Sequence, residues 1–205
     1  TGYIAGWVVK NLLDKGITVH APIRNLSNKG KRAHLDELAE NSSGQIKYFE
    51  SDLLIENSYK EAMEGCELVI HTASPFVMDS KDPQKEVIDP ALIGTQNVLK
   101  TVNEVESVKR VVLTSSVAAI YGNGIDAQSV DGGIFNQSMW NTTSTATDGE
   151  YSYSKTVAEK EAWRINEEQK RWDLVVINPS FVLGPSLNPD AMFESKKFIL
   201  QMGNG

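Results

Sequence analysis

The sequence has almost no cysteine. Cys66 is the only one in 205 residues, so no disulfide can form within the chain. Disulfides are rare in reducing compartments, so a chain without one favours such a setting, and we predict a cytoplasmic protein. The sequence also lacks any apolar run near the roughly 20 residues that a membrane-spanning helix needs. We therefore expect no membrane association.

An excess of positive charge is missing as well. Lys and Arg number 20 against 27 Asp and Glu, which leaves a net charge of −7. Proteins that bind nucleic acids present a basic face to the phosphates, so this balance argues against a nucleic-acid partner. Histidine is scarce too, and His20, His34 and His71 do not have the spacing of metal ligands. No metal site is predicted.

The chain does contain a regular alternation of short apolar runs with longer amphipathic stretches. The predicted strands are 17–23, 46–50, 68–71, 110–114 and 174–178. The predicted helices are 5–15, 31–40, 58–63, 90–105 and 152–169. Continuous apolar strands such as Val111-Val112-Leu113 are typical of a parallel sheet covered by helices on both faces. The pattern predicts an α/β fold with a doubly wound parallel sheet, the Rossmann fold.

Both ends of the chain bear on the domain organisation. Thr1 and Gly2 lead directly into an apolar helix, whereas a Rossmann unit needs a strand before its glycine turn. We therefore expect a fold truncated at both ends. Residues 1–185 would be a Rossmann domain without its first strand, and 186–205 the start of a carboxyl-terminal substrate-binding lobe that is mostly absent. An ordinary short domain with a glycine-rich start is the alternative.

Small residues stand at the mouth of the first predicted helix. Gly2, Ala5 and Gly6 would let backbone amides approach a pyrophosphate, whose charge the helix dipole favours. Close packing of the helix against a strand would explain the same residues. The glycine pattern alone leaves both interpretations open.

The end of the strand 17–23 indicates which nucleotide would bind. NAD-binding units usually have an acidic residue there, and an arginine nearby accommodates the phosphate of NADP. This strand is followed by Arg24 and no carboxylate, with Lys29, Lys31 and Arg32 close behind. The residues favour NADP over NAD. A solvated basic surface is the alternative.

Two further strand ends carry candidate residues. Asp52 follows the strand 46–50 and could contact the adenine amino group or cap the next helix. After the strand 68–71, the small residues Thr72, Ala73 and Ser74 would lie beside the pyrophosphate and the ribose on the nicotinamide side. His71 itself is interpreted as a packing residue of the strand end.

The sharpest feature is the pair Tyr151 and Lys155 at the start of a predicted helix. Residues four apart share a helix face. A lysine ammonium favours the phenolate, so we expect Lys155 to bring the pKa of Tyr151 down from about 10 towards the range useful for acid–base catalysis. The same lysine can bond the ribose of a nicotinamide. An amphipathic helix start without catalytic function is the alternative.

A serine pair follows the predicted strand 110–114. Ser115 and Ser116 would lie at the strand's carboxyl end, where α/β sheets bind their ligands. One hydroxyl could hold a substrate carbonyl oxygen beside Tyr151, while the other makes only hydrogen bonds of the strand end.

These residues belong to an ordered set of motifs along the chain. The set is Gly2-Tyr3-Ile4-Ala5, Arg24 with Lys31, Ser51-Asp52-Leu53, His71-Thr72-Ala73-Ser74-Pro75, Gly94-Thr95-Gln96-Asn97-Val98-Leu99, Leu113-Thr114-Ser115-Ser116, Tyr151 to Lys155 with Thr156-Val157-Ala158-Glu159, and Asn178 to Pro185. It resembles the extended short-chain dehydrogenases/reductases, within the NAD-dependent epimerase/dehydratase superfamily, over essentially the whole chain. The resemblance is strongest to the branch of dihydroflavonol reductases, cinnamoyl-CoA reductases and aldehyde reductases.

The resemblance implies an NADPH-dependent reductase that transfers a hydride to an aldehyde or ketone, a small-molecule carbonyl substrate. It implies that Tyr151 is the proton donor, Lys155 its partner and Ser116 the residue that binds the carbonyl. The residues implied for NADP are Gly2, Tyr3 and Ile4 in the glycine turn, Arg24 and Lys31 at the 2′-phosphate, Asp52 and Leu53 at the adenine, Thr72, Ala73 and Ser74 at the central region, and Tyr151, Lys155 and Pro179 towards the nicotinamide. Asn97 would be structural.

Two other functions are compatible with this fold. An NAD-dependent sugar-nucleotide epimerase would share the Ser, Tyr and Lys, and the stretch 119–122 is similar to that of epimerases. Arg24 favours the reductase, because the epimerases usually hold NAD. A dehydratase would need an acid–base pair where Val117 and Ala118 stand. A non-catalytic NADP-sensing protein would typically lack the Tyr151 and Lys155 pair.

Overall fold

The first helix begins at the glycine-rich start. The structure is a computed structural model that describes residues 1–74, 80–188 and 192–204, and in it α1 spans Tyr3–Asp14. Gly2 is extended, and its carbonyl accepts the first helical hydrogen bond from Gly6 N at 2.8 Å. The helix therefore begins at Tyr3 instead of the predicted residue 5. It ends before Gly16, whose φ of +75° is a left-handed conformation that glycine adopts without strain.

Residues 1–52 and 181–205 form one compact unit, here the first unit. Its elements are α1, β1 (Thr18–Ile23), α2 (Ala33–Glu40), β2 (Gln45–Glu50) and α6 (Glu194–Asn204). The two strands run parallel, in register from Thr18 opposite Gln45 to Ile23 opposite Glu50. Val9, Leu13 and Leu35 form its buried core, because the apolar faces of α1 and α2 meet there.

The turn into β2 approaches the end of α1 closely at Gly44. A Cβ at this position would lie 2.5 Å from the Ile17 carbonyl oxygen and 2.8 Å from both Cα and O of Leu13. The Gly44 amide donates to the Leu13 carbonyl at 2.9 Å. Since the atoms in the way belong to the main chain, no side chain fits here without displacing the backbone.

Residues 53–180 form the second unit. Its elements are α3 (Lys60–Met63), β3 (Leu68–His71), α4 (Asp89–Glu104), β4 (Arg110–Thr114), α5 (Glu150–Glu167) and β5 (Asp173–Ile177). The strands form a parallel sheet in the order β3-β4-β5. Thr114 pairs with Ile177, so the carboxyl ends of β4 and β5 lie side by side. Parallel sheets with flanking helices confirm the predicted Rossmann-like α/β class.

The core of the second unit lies where α4 and α5 pack on the strands. It contains Met63, Val98, Leu99, Val102, Val105, Val108, Val111, Leu113, Ala162, Ile165, Trp172 and Leu174. Arg171 closes the carboxyl end of α4: its guanidinium donates to the carbonyls of Val105 at 3.0 Å, Val108 at 2.8 Å and Val102. These bonds join Val102 in the last turn of α4 to its cap Val105 and to Val108, in the segment that leads to β4.

The boundaries of the second unit differ from the prediction mainly in the helices. The third helix covers only Lys60–Met63 of the predicted 58–63, since Asn57 turns the chain at φ +60° just before it. A π-helical turn, Gln84–Ile88, leads into α4. Within the described ranges, no helix has the length and apolar character that crossing a membrane requires.

Candidate active site

The end of β4 positions the serine pair. The Ser115 amide donates to the Ile177 carbonyl at 2.8 Å, which continues the pairing with β5 by one residue. Ser116 is buried, and its hydroxyl accepts from the Ala118 amide at 3.1 Å as the cap of the short helix Val117–Ala119. The Ser115 hydroxyl is buried with no hydrogen-bond partner among the residues described.

The amino end of α5 carries the tyrosine and the lysine. Gly149, at φ +76°, turns the chain into the helix. Tyr151 and Lys155 then lie one turn apart on the same face, with the Lys155 Nζ 5.7 Å from the centroid of the Tyr151 ring. Tyr151 is also hydrogen-bonded to the Ser116 side chain. The structure thus brings together the three predicted catalytic residues.

The charges at this site are set mainly by burial. Burial lowers the pKa of Lys155 to about 8, although the nearby Glu159 carboxylate raises it in part. Burial raises the pKa of Tyr151, and the hydrogen bond from Ser116 lowers it in part. We expected the lysine to dominate and bring the tyrosine pKa down. The net shift of the Tyr151 pKa is upward because burial destabilises the phenolate more than the hydrogen bond from Ser116 stabilises it.

A small cavity lies at the ends of β3 and β4 beside Lys155. It is lined by His71, Ala73, Ser74, Thr95, Leu113, Thr114, Ser115, Lys155, Ala158 and Glu159. Two of the predicted cofactor residues, Ala73 and Ser74, therefore share a cavity with Lys155. Thr72 precedes them and is half-buried. Pro75, the last residue of that motif, lies outside the described residues.

His71 is buried at the end of β3 and lines this cavity, and its role as a packing residue stays a prediction. Burial, and next the charge of Lys155, lower the pKa of this imidazole to about 4. It is therefore neutral at neutral pH. Across the described ranges, no three His, Cys, Asp or Glu side chains come together as metal ligands.

Two polar residues near the site were not assigned a role from sequence. Glu159 is only 6% exposed, and its carboxylate accepts from Asn178 Nδ2 at 2.7 Å and from Trp163 Nε1 at 3.4 Å. The same Asn178 nitrogen donates to the Ser116 carbonyl at 3.1 Å. The signal available in the sequence was the spacing, since Glu159 follows Lys155 by one helical turn.

Two predicted cofactor residues near the two ends of the second unit, Pro179 and Leu53, are held by hydrogen bonds. Val117 N donates to the carbonyl of Pro179 at 3.0 Å, so the predicted nicotinamide residue is fixed beside the end of β4. Leu53, predicted at the adenine, is held by Asn97, whose side chain donates to its carbonyl at 2.8 Å. This contact agrees with the structural role predicted for Asn97.

The first unit carries the remaining predicted cofactor residues. Gly2, Tyr3 and Ile4 form the start of α1, and Asp52 closely follows β2. The two roles predicted for Asp52, contact with the adenine and capping of the next helix, both stay open.

The basic residues after β1 lie in different environments. Arg24 and Lys31 are exposed. In contrast, Arg32 stacks over the Tyr48 ring at 4.3 Å and pairs with Asp36 at 3.6 Å. Arg32 is thereby engaged within the unit, whereas Arg24 and Lys31 of the predicted phosphate site are exposed, as is Lys29.

These features define a class. The chain belongs to the NAD dependent epimerase/dehydratase family, whose model matches residues 1–204. Within it the chain is an extended short-chain dehydrogenase/reductase of the reductase branch, as the relatives below show.

The individual relatives are reductases. The chain is 42% identical over 208 residues to cinnamoyl-CoA reductase CAD2 of Medicago truncatula, covering 100% of this chain and 62% of that protein. It is 38% identical over 195 residues to an anthocyanidin reductase ((2S)-flavan-3-ol-forming) of Vitis vinifera, covering 93% and 56%. The chain spans little more than half the length of such relatives.

The chain is also similar in structure to solved proteins. Vestitone reductase from alfalfa (Medicago sativa L.) matches with a TM-score of 0.75 and 28% identity over 95% of this chain and 58% of that one. Gre2 from Candida albicans, solved in complex with NADPH, matches with a TM-score of 0.74 and 30% identity over 90% and 56%.

Proposed function

We propose that the protein is an NADPH-dependent reductase that acts on the carbonyl group of an aldehyde or ketone. The observation that carries the proposal is the joint placement of Ser116, Tyr151 and Lys155, with Ser116 hydrogen-bonded to Tyr151 and the Lys155 ammonium against the tyrosine ring. The family and its reductase relatives support the same type of reaction.

Each of the three side chains has a defined task in this proposal. NADPH, when bound, supplies the hydride. The Ser116 hydroxyl donates a hydrogen bond to the carbonyl oxygen. Tyr151 gives that oxygen its proton, and its raised pKa keeps the phenol protonated near neutral pH. Lys155, with a pKa of about 8, is mostly an ammonium at neutral pH and offsets the negative charge left on the tyrosine oxygen.

The first unit fits the phosphates of the cofactor. Gly2 is exposed at the amino end of α1, and among the described residues nothing lies within 4 Å of the place where its side chain would be. A pyrophosphate could therefore approach the backbone of Gly2, Tyr3 and Ile4. The exposed Arg24 and Lys31 would hold the 2′-phosphate. The NADPH complex of the related Gre2 supports the same choice of cofactor.

The remaining contacts would come from strand ends. Asp52 and Leu53 would contact the adenine. Thr72, Ala73 and Ser74 would contact the central region of the cofactor, where Ala73 and Ser74 already share a cavity with Lys155. Lys155 would bond the ribose and Pro179 would contact the nicotinamide.

The proposal extends to the setting of the protein. Its single cysteine allows no disulfide within the chain, and disulfides are rare in reducing compartments, which favours the cytoplasm. Residues 1–185 would form the NADP-binding domain, and 186–205 the start of the substrate-binding lobe. Its partner in this reaction, besides NADPH, would be a small-molecule carbonyl substrate.

The test is cofactor oxidation followed by absorbance. NADPH and NADH are compared on a panel of aldehydes, ketones, a hydroxycinnamoyl thioester and one sugar nucleotide. We expect consumption of NADPH in preference to NADH on at least one carbonyl class. Interconversion of the sugar nucleotide without carbonyl reduction would identify an epimerase instead. Tight NADPH binding without turnover of any compound would identify a sensor.

Replacing Arg24 with alanine is expected to weaken NADPH more than NADH. Hydrogen bonds to charged groups contribute about 1.5–3 kcal/mol, which corresponds to roughly a 10- to 100-fold rise in the KM for NADPH. The KM for NADH should change little, because NADH lacks the 2′-phosphate. Lys15→Ala removes an exposed charge from the same unit and serves as the control. An unchanged ratio of the two KM values would contradict the role of Arg24.

A further inference from the structure

One side chain joins the strand that carries the serine to the helix that carries the tyrosine and lysine. Asn178 follows β5 directly, and its Nδ2 lies 2.7 Å from Glu159 Oε2 and 3.1 Å from the Ser116 carbonyl oxygen. An amide nitrogen has two hydrogens, so it can donate to both acceptors at once. One acceptor belongs to α5 and the other to the end of β4.

The acceptor on the helix is a carboxylate at a place where a carboxylate is costly. Glu159 is buried to 6% exposure, and a buried charge destabilises a protein unless it is paired or hydrogen-bonded. Asn178 and Trp163 supply two hydrogen bonds to its oxygens. It also lies one turn after Lys155, whose ammonium it stabilises. The carboxylate thus faces the site from within the catalytic helix.

We propose that Glu159 and Asn178 are positioning residues of the active site, and that their hydrogen bond holds Ser116 at a fixed distance from Tyr151 and Lys155. The inference rests on the proposed reductase function. The serine must hold the carbonyl oxygen while the tyrosine protonates it, and a displacement of about 1 Å between reacting groups can cost 10²-fold in rate. Bonding the Ser116 main chain leaves its hydroxyl available for the substrate.

The carboxylate has a second effect, which a purely structural residue would not have. Among the residues that the structure describes, the titratable groups that face Lys155 are His71 from β3, and Tyr151 and Glu159 from α5. His71 is neutral near pH 7, because its pKa is lowered to about 4, so Glu159 is the negative charge among them. Without that charge the pKa of Lys155 falls further below about 8. As the pH rises, the ammonium then loses its proton at a lower pH than before. The decline of activity on the alkaline side should therefore begin at a lower pH as well.

The two residues can be tested separately. Asn178→Asp keeps the size of the side chain but replaces the donor by an acceptor, so both bonds are lost; we expect kcat to fall about 10- to 100-fold with the KM for NADPH changed less than kcat. Glu159→Gln keeps an acceptor for Asn178 but removes the charge, so the alkaline limb of the pH profile of kcat should move to lower pH. The double variant has an amide on the helix and a carboxylate after β5. Their hydrogen bond can form again with donor and acceptor exchanged, but the Ser116 carbonyl still lacks its donor, so kcat should stay near that of Asn178→Asp.

The matched control is Glu161→Gln. This change removes a carboxylate from the same helix, one that pairs instead with Arg164 and Gln96. It should leave both kcat and the pH profile near those of the unmodified protein. Thermal unfolding of every variant separates misfolding from mispositioning. If Asn178→Asp does not fold, the pH profile of Glu159→Gln carries the test.

A second readout needs no turnover. Backbone amide exchange of Val117 and Ala118, which bond Pro179 and the Ser116 hydroxyl, should become faster in Asn178→Asp and stay unchanged in Glu161→Gln. Faster exchange in a protein that reduces no carbonyl would overturn the proposed function but support the hydrogen-bonded link. Normal exchange, kcat and pH profile in an active protein would overturn the link and leave the reductase function intact.

Discussion

Replacing Tyr151 with phenylalanine is expected to lower kcat for carbonyl reduction by about 10²- to 10⁴-fold, the range of a lost general acid. The ring stays, so its contact with Lys155 remains possible, but the hydroxyl that bonds Ser116 is gone. NADPH should still bind, because Lys155 keeps its ammonium. Turnover is measured by the loss of NADPH absorbance, and cofactor binding by fluorescence titration.

The matched control for this change is Tyr153→Phe. Tyr153 lies in the same turn of α5 and is half-buried, but it has Val157 and no lysine four residues on. It should keep near-normal turnover. A Tyr151→Phe variant as active as this control would exclude Tyr151 as the proton donor.

The second large effect concerns stability. Trp172→Ala should lower the free energy of unfolding by about 3–5 kcal/mol, the usual cost of truncating a buried tryptophan. Trp172 is 3% exposed within the core of the second unit, and its Nε1 donates to Asn103 Oδ1 at 2.8 Å. The truncation therefore removes a large apolar volume and leaves one polar group without its donor. Urea denaturation followed by circular dichroism measures the loss.

Two further variants separate these contributions. Trp172→Phe keeps most of the ring and loses the N–H, so it should cost about 1 kcal/mol for the hydrogen bond, and more if the smaller ring leaves a void. Ile134→Ala, at a position 72% exposed in the same unit, should stay within about 0.5 kcal/mol of the unmodified protein. A loss in Trp172→Ala no larger than that of Ile134→Ala would show that Trp172 does not support the core.

The strands could be predicted from sequence almost to the residue. The ranges 68–71 and 110–114 agree with β3 and β4, because polar residues on both sides of an apolar run mark where the strand begins and ends. Helix starts were less certain. Helix α5 begins at Glu150 instead of residue 152, since Gly149 takes a left-handed conformation that composition alone does not reveal.

Only part of the site could be predicted, because sequence patterns show local features and not contacts between distant segments. Ser116, Tyr151 and Lys155 could be found because strand ends and helix faces are local patterns, and the second unit does bring them together. The bonds of Asn178 to Ser116 and Glu159 join segments far apart in the chain, and no local pattern indicates them. The direction in which the pKa of Tyr151 shifts also depends on burial, which is a property of the folded chain. The roles assigned to Arg24 and the other cofactor residues of the first unit stay predictions.

The order of the strands in the second unit has a consequence for how this unit is made. Both pairings, β3 with β4 and β4 with β5, join segments separated by a helix. Such non-local contacts form slowly, because the loop must close before the strands gain from pairing. Asn178 lies almost at the end of the unit and leaves the ribosome after every other residue of the proposed site except Pro179. During synthesis, Ser116 and α5 therefore gain their link through Asn178 among the last contacts of the unit.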